Sequence, residues 1–296
     1  MNMNFHKSLL LSSVLFLSFT SSASEVCNLN SSDEYQLGAL STSEQFSCQG
    51  EPDYYAITIY EMGLCPSTIT APTISTPIDL SACQVAYTNT SGLLIQVENG
   101  SSSPMTGGVT SRPDPGTYNY GYIKLSNIFK IKAAITFDGS AAGEPDGSAP
   151  TTANGTGVYC YTSGNTSSGT HDYSSDSSYL SSTTCSTSAS DLTNAQINDS
   201  PLTSFGSGSF SASGTSGVVT AYLVDSSNQL SSGTGDISGL IGIQDFSSTP
   251  IVITESTTTM DAQFTVTQGM SVSQGGSSPA YIGLGNGPFQ VSMTVN

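Results

Sequence analysis

YNYGYIKLSNIFKIKAAITF, residues Tyr118 to Phe137, carries the strongest structural signal in the chain. From Ile128 onward it alternates with a period of two. Phe129, Ile131, Ala133, Ile135 and Phe137 share one face; Ile128, Lys130, Lys132, Ala134 and Thr136 share the other. Side chains along a strand point to opposite faces in turn, so this pattern predicts a strand with an apolar core face and a lysine-bearing outer face. Just upstream, after a Pro115-Gly116 turn, Tyr118, Tyr120, Tyr122 and Lys124 fall on one face of a second strand. Asn127 breaks or bends the passage between the two.

The same period recurs elsewhere. Tyr55, Ile57 and Ile59 alternate with Ala56, Thr58 and Tyr60, and Leu93, Ile95 and Val97 with Leu94, Gln96 and Glu98, before an Asn99-Gly100 turn. Residues 218–224 are apolar on both faces, as in a central strand. Ile251 and Ile253 form a short strand, and Ala262, Phe264 and Val266 another. Last, Phe289, Val291, Met293 and Val295 face inward from a strand that runs to Asn296. No segment of helical length is amphipathic. Short strands separated by turn clusters predict an all-β fold: an antiparallel, disulfide-stapled β-sandwich or jelly-roll-like arrangement.

Residues 1–23 read as a secretory signal peptide. Lys7 precedes an apolar run from Leu9 to Phe19, and Ser21-Ser22-Ala23 offers a cleavage site. The run is too short for a bilayer, which needs roughly 20 apolar residues. No lipid-anchor pattern precedes Cys27. The expected location is secreted, extracellular or cell-surface, with the periplasm as an alternative, and no membrane insertion is expected after cleavage. Removing 23 of 296 residues leaves 273, and removing Lys7 leaves 4 bases against 22 acids, a formal charge of −18. That balance excludes nucleic acid, whose phosphates require Lys and Arg, and docking on an anionic membrane.

Six cysteines, Cys27, Cys48, Cys65, Cys83, Cys160 and Cys185, follow the signal. An even number in an exported chain reads as disulfides, with 15 connectivities open to six cysteines. Proximity favours Cys27 with Cys48, Cys65 with Cys83 and Cys160 with Cys185. The chain divides into a Cys-rich β region (24–137), a Ser/Thr/Gly-rich insertion (138–217) stapled by Cys160–Cys185, and a C-terminal β region (218–296). The two β regions form either separate lobes or one sandwich closed across the insertion.

The residues point away from catalysis. His171 is the only histidine after the signal, and it lies in the insertion with no nucleophile elbow beside it. Gly283-x-Gly285-x-Gly287 precedes a strand rather than a helix, so it reads as a turn or bulge and not as a phosphate loop. A hydrolase built on two carboxylates needs a set separation that sequence does not give. No cofactor is expected. Calcium is the one ion the residues suit: Asp138, Glu144 and Asp146 lie in an acidic, glycine-bearing loop after a strand. Asn30, Asn89, Asn99, Asn154, Asn165 and Asn198 head glycosylation sequons.

All four cations of the exported chain, Arg112, Lys124, Lys130 and Lys132, fall within one short stretch. Three readings compete. The lysines guard an exposed edge strand against uncontrolled pairing. Alternatively, the cluster is one half of a head-to-tail self-contact that builds a filament. In the third reading it recognises a surface glycan or acidic partner, with Tyr118, Tyr120 and Tyr122 as a flat platform. The expectation that follows is an exported, non-catalytic structural or surface protein that self-assembles into a filament or surface layer. An adhesin-like carbohydrate or calcium-dependent binding module is the alternative.

Overall fold

A computed structural model describes residues 25–36, 46–97, 105–138, 151–152, 155–164, 183–202, 209–214, 217–275 and 281–296. The first strands are β1 (Glu25–Val26), β2 (Phe46–Gly50), β3 (Tyr54–Cys65), β4 (Gln84–Gln96), β5 (Val109–Thr110), β6 (Gly116–Tyr118), β7 (Tyr120–Leu125), β8 (Ile128–Lys132) and β9 (Ala134–Thr136). Next come β10 (Thr151–Thr152), β11 (Gly155–Thr156), β12 (Tyr159–Thr162), β13 (Thr183–Ser186), a short 3-10 helix (Ala189–Asn194), β14 (Asn198–Pro201) and β15 (Ser209–Gly214). The chain then forms β16 (Gly217–Val224), β17 (Gly239–Asp245), β18 (Ile251–Ile253), β19 (Met260–Thr265), β20 (Met270–Gly275), β21 (Tyr281–Asn286) and β22 (Gln290–Val295). The fold is all-β and β-sandwich-like, and its sheets are antiparallel apart from the β1–β2 and β10–β21 pairs.

β3 is the spine of a nine-stranded sheet. One edge of β3 pairs with β4; the other pairs with β8 near Tyr54 and with β7 from Ile59 to Cys65. β7 and β8 therefore continue one another along a single partner, interrupted at Ser126 and Asn127. The bend is fixed by Asn127, whose Nδ2 donates to the Leu202 carbonyl at 3.0 Å while its own carbonyl accepts from Leu202 N–H at 2.7 Å. Outward from β7 lie β17, β16 and β15, and outward from β8 lies β14.

Both faces of this sheet are covered. On one, Ile123, Leu125, Phe129 and Ile131 meet Phe264, Val266 and Val291 from the β19–β22 layer. Each such side chain contributes about 1.5–3 kcal/mol when fully buried. On the other, residues 66–83 fold back over β16 and β17, so that Ile78 packs on Val224 and Ile241. Cys65–Cys83 closes that cover.

The alternating face of 129–137 is buried throughout, but it serves two cores. Phe129 and Ile131 belong to the first; Ala133, Ile135 and Phe137 belong to a second, with Met270, Val272, Ile282 and Leu284. The strand changes sheets at Ala133. Its N–H donates to Thr162 Oγ1 at 3.2 Å, its carbonyl accepts from Thr162 N–H at 3.0 Å, and β9 continues against β12. Strands that cross from one sheet to another make the corners of such packings.

The three disulfides are Cys27–Cys48, Cys65–Cys83 and Cys160–Cys185, the pairing that proximity favoured. Cys160 and Cys185 sit directly opposite one another on β12 and β13. On either side of this disulfide the described residues form β12 and β13, and residues 165–182 between them lie outside the described residues. β12 extends β9 and β14 extends β8, and Thr162, Thr183 and Asn198 are buried there. Strands of 24–137 and 218–296 pair directly, β2 with β20, β6 with β18 and β7 with β17.

Candidate functional site

Three of the four cations meet an internal acid. Lys124 on β7 stands opposite Glu61 on β3, with Nζ 2.9 Å from Oε1. Lys130 on β8 stands opposite Asp199 on β14 and forms an ion pair with it. Arg112 lies 3.8 Å from the exposed Glu255 carboxylate and donates to the carbonyls of Glu255 and Thr257 at 3.0 and 3.3 Å. Lys132 forms no ion pair with a described residue. The edge-guard reading also fails on topology: β8 lies between β3 and β14, so its lysines are not on a sheet edge.

The tyrosines do not form a platform. Tyr118 is buried on β6 among Leu64, Phe246, Ile251 and Ile253. Its hydroxyl donates to the Asp114 carbonyl at 2.8 Å. Tyr122 is buried on β7 and donates to Glu61 Oε1 at 2.9 Å, the same oxygen that faces Lys124. Burial pushes the Tyr122 phenol well above its ordinary range, and the adjacent Glu61 carboxylate pushes it further. Tyr120 is half-buried, with its hydroxyl 3.1 Å from Thr68 Oγ1. The predicted contact residues are thus dispersed along one long strand line and engaged with the fold.

Of the predicted calcium ligands, Asp138 follows β9, and its carboxylate accepts from Gln36 Nε2 at 3.5 Å. Glu144 and Asp146 lie outside the described residues, as does His171. Among the described residues no three His, Cys, Asp or Glu side chains gather as a metal centre would require. Nor, among the same residues, is any helix long and apolar enough to cross a membrane. The glycine series resolves into β21, where Gly283 and Gly285 stand opposite Ser273 and Ser271, and into Gly287, whose carbonyl accepts from the buried Tyr55 hydroxyl at 3.0 Å.

A pocket of about 240 Å³ lies between the nine-stranded sheet and the β2–β20–β21 sheet. Its apolar wall includes Leu125, Phe129, Ala221, Leu240, Phe289 and Val291. Phe129, Phe289, Tyr55 and Phe264 form an aromatic cluster behind it, with centroids 5.9–6.4 Å apart. Small residues make the space. Ala221 and Gly242 stand opposite one another on β16 and β17, and Gly242 is opposite Ile123 on β7. A Cβ on Gly242 would meet only Ile123 Cγ2 within 4 Å.

One end of the pocket is polar. Gln49 on β2 and Ser271 on β20 are cross-strand neighbours on the face turned away from the second core. Gln49 is 6% exposed, and its amide has no hydrogen-bond partner among the described residues. Ser271 Oγ is buried and equally without one. No charged side chain lines the space. The sequence reading did not find this pocket; its only advance signal was Ala221 and Gly242 at the centres of otherwise large-apolar strands. Compared with known protein families, curated proteins and solved structures, the chain matches none of them.

Proposed function

We propose that this is an exported, non-catalytic β-rich protein that works at or outside the cell surface as a rigid, disulfide-braced surface component. The observation that carries the reading is where the three disulfides sit. Cys27–Cys48 ties β1 to β2, Cys65–Cys83 closes the cover over the nine-stranded sheet, and Cys160–Cys185 rivets β12 to β13. Such bonds persist in oxidising surroundings outside the cytosol. The signal-like residues 1–23 supply the route.

The test is fractionation of a secreting host expressing the full chain, with mass analysis of the product before and after thiol alkylation. The reading expects a product outside the cytosol that begins at Ser24 and takes up no alkylating reagent. A full-length cytosolic product with six reactive thiols would overturn it. A second reading, an adhesin-like binding module, is favoured by the pocket. Its apolar lining and lack of charge suit a small neutral ligand better than a glycan or calcium.

A further inference from the structure

We propose that the pocket between the nine-stranded sheet and the β2–β20 edge binds a neutral, mostly apolar small molecule with one hydrogen-bonding end, which Gln49 and Ser271 receive. The volume of about 240 Å³ exceeds the roughly 150 Å³ that accepts a benzene-sized guest. The wall of Phe129, Leu125, Leu240, Phe289 and Val291 supplies an apolar bed. Ligand sites combine such a bed with a few placed polar groups that fix orientation.

The polar end defines the ligand. The buried Ser271 hydroxyl has no partner and carries a desolvation penalty that a ligand group can relieve, and the Gln49 amide stands beside it across the β2–β20 pair. Each of them both donates and accepts, so they match a hydroxyl, a carbonyl or an amide. No cation lines the pocket, and the chain is strongly acidic, so a carboxylate ligand would be buried unpaired. The body of the ligand is therefore a single substituted ring or a short alkyl chain, and its end is neutral. This inference does not depend on the surface-component reading.

Isothermal titration calorimetry on the oxidised protein tests it, with 4-ethylphenol, ethylbenzene and 4-ethylbenzoate as probes. One saturable site is expected for 4-ethylphenol. Ethylbenzene should bind roughly tenfold more weakly, the worth of about one hydrogen bond, and ionised 4-ethylbenzoate should not bind. Gln49→Leu should abolish the preference for the phenol while ethylbenzene still binds. Ala221→Phe, with a cooperative unfolding transition confirming its fold, should bind neither. The proposal is overturned if folded wild-type protein shows no saturable binding of 4-ethylphenol. It is equally overturned if the phenol preference survives Gln49→Leu, or if folded Ala221→Phe binds as wild type does.

Discussion

Glu61 is the carboxylate on which a lysine and a tyrosine converge, and its removal gives the sharpest test of the central sheet. Glu61 Oε1 accepts from the buried Tyr122 hydroxyl at 2.9 Å and faces Lys124 Nζ at 2.9 Å, with the Lys124 and Glu61 side chains 26% and 24% exposed. A hydrogen bond to a charged acceptor contributes about 1.5–3 kcal/mol. An ion pair this shielded falls between the near-zero worth of an exposed pair and the several kcal/mol lost on breaking a buried one, so about 1–2 kcal/mol. Glu61→Ala should therefore cost about 3–4 kcal/mol, because it strands a buried hydroxyl and a half-buried ammonium together. Tyr122→Phe removes only the hydroxyl and should cost about 1–2 kcal/mol. The double variant should then show a coupling energy of about 1–2 kcal/mol between the two sites. Urea unfolding of the oxidised protein at pH 7, followed by circular dichroism, measures all four corners. A coupling below about 0.5 kcal/mol, with both single variants folded, would refute the shared-oxygen geometry.

The sign of the pH dependence follows from the tyrosines. Burial raises the phenols of Tyr35, Tyr55, Tyr118, Tyr122 and Tyr222, so the folded state holds their protons longer than the unfolded chain does. Their contribution is complete below the unfolded value near 10 and is lost as pH rises beyond it. Absorbance at 295 nm, read beside circular dichroism, should show these five tyrosines ionising later than they do in the urea-unfolded chain; ionisation at the same pH in both states would contradict the burial. Replacing Cys65 and Cys83 with Ala should cost about 3 kcal/mol, given their separation of 18 residues, and loosen the cover over Ile241. Denaturant midpoints would measure this, and an unchanged midpoint would argue against the cover. Ile131→Ala and Ile135→Ala, one in each core, should each lose about 2–5 kcal/mol and move one shared transition in calorimetry. Two separable transitions would mean that the cores unfold independently. Lys130→Glu with Lys132→Glu places a like charge opposite Asp199 and should cost up to about 1 kcal/mol without changing light scattering across a salt series. A salt-sensitive oligomer that the double variant dissolves would support the head-to-tail contact.

Strand positions were legible because the period of two is a local property: Ile57, Phe129, Ile131 and Val291 are buried where alternation placed them. The cysteine pairs were legible because each closes a short loop. The corner at Ala133 was not legible. Alternation runs unbroken from Phe129 to Phe137, and the change of sheet is set by Thr162, whose backbone and hydroxyl take over from β3 as the partner. The fate of the lysines was hidden for the same reason. Asp199 lies 69 residues from Lys130, and Glu61 lies 61 residues from Tyr122, so the pairs exist only once the sheet order is known. Two members of a cation cluster in sequence, Lys124 and Lys130, thus became separate cross-strand pairs in space. The pocket needed still more, because a gap between two sheets is a property of neither strand alone.

If the lysines do not guard an edge, something else must discourage pairing along the exposed side of β4. Beyond its short contact with β5, no described strand pairs with that side of β4. Leu94 there is 50% exposed, and no lysine lies on the strand. The register supplies the answer. β4 pairs with β3 at Ile59↔Leu93 and resumes at Glu61↔Thr88, so Asn89, Thr90, Ser91 and Gly92 stand against Tyr60 alone. Gly92 takes a positive φ of 77°, a conformation glycine adopts without strain. The Asn89 side chain pins the excursion, accepting from Ser91 N–H at 3.1 Å and donating to the Gly107 carbonyl at 3.0 Å. A bulge of this kind kinks the strand and breaks the flat row of donors and acceptors that a foreign strand would need. Geometry therefore does at β4 what charge does on many other edges. That fits a chain with only four cations after residue 23, three of which are engaged with acids of its own fold.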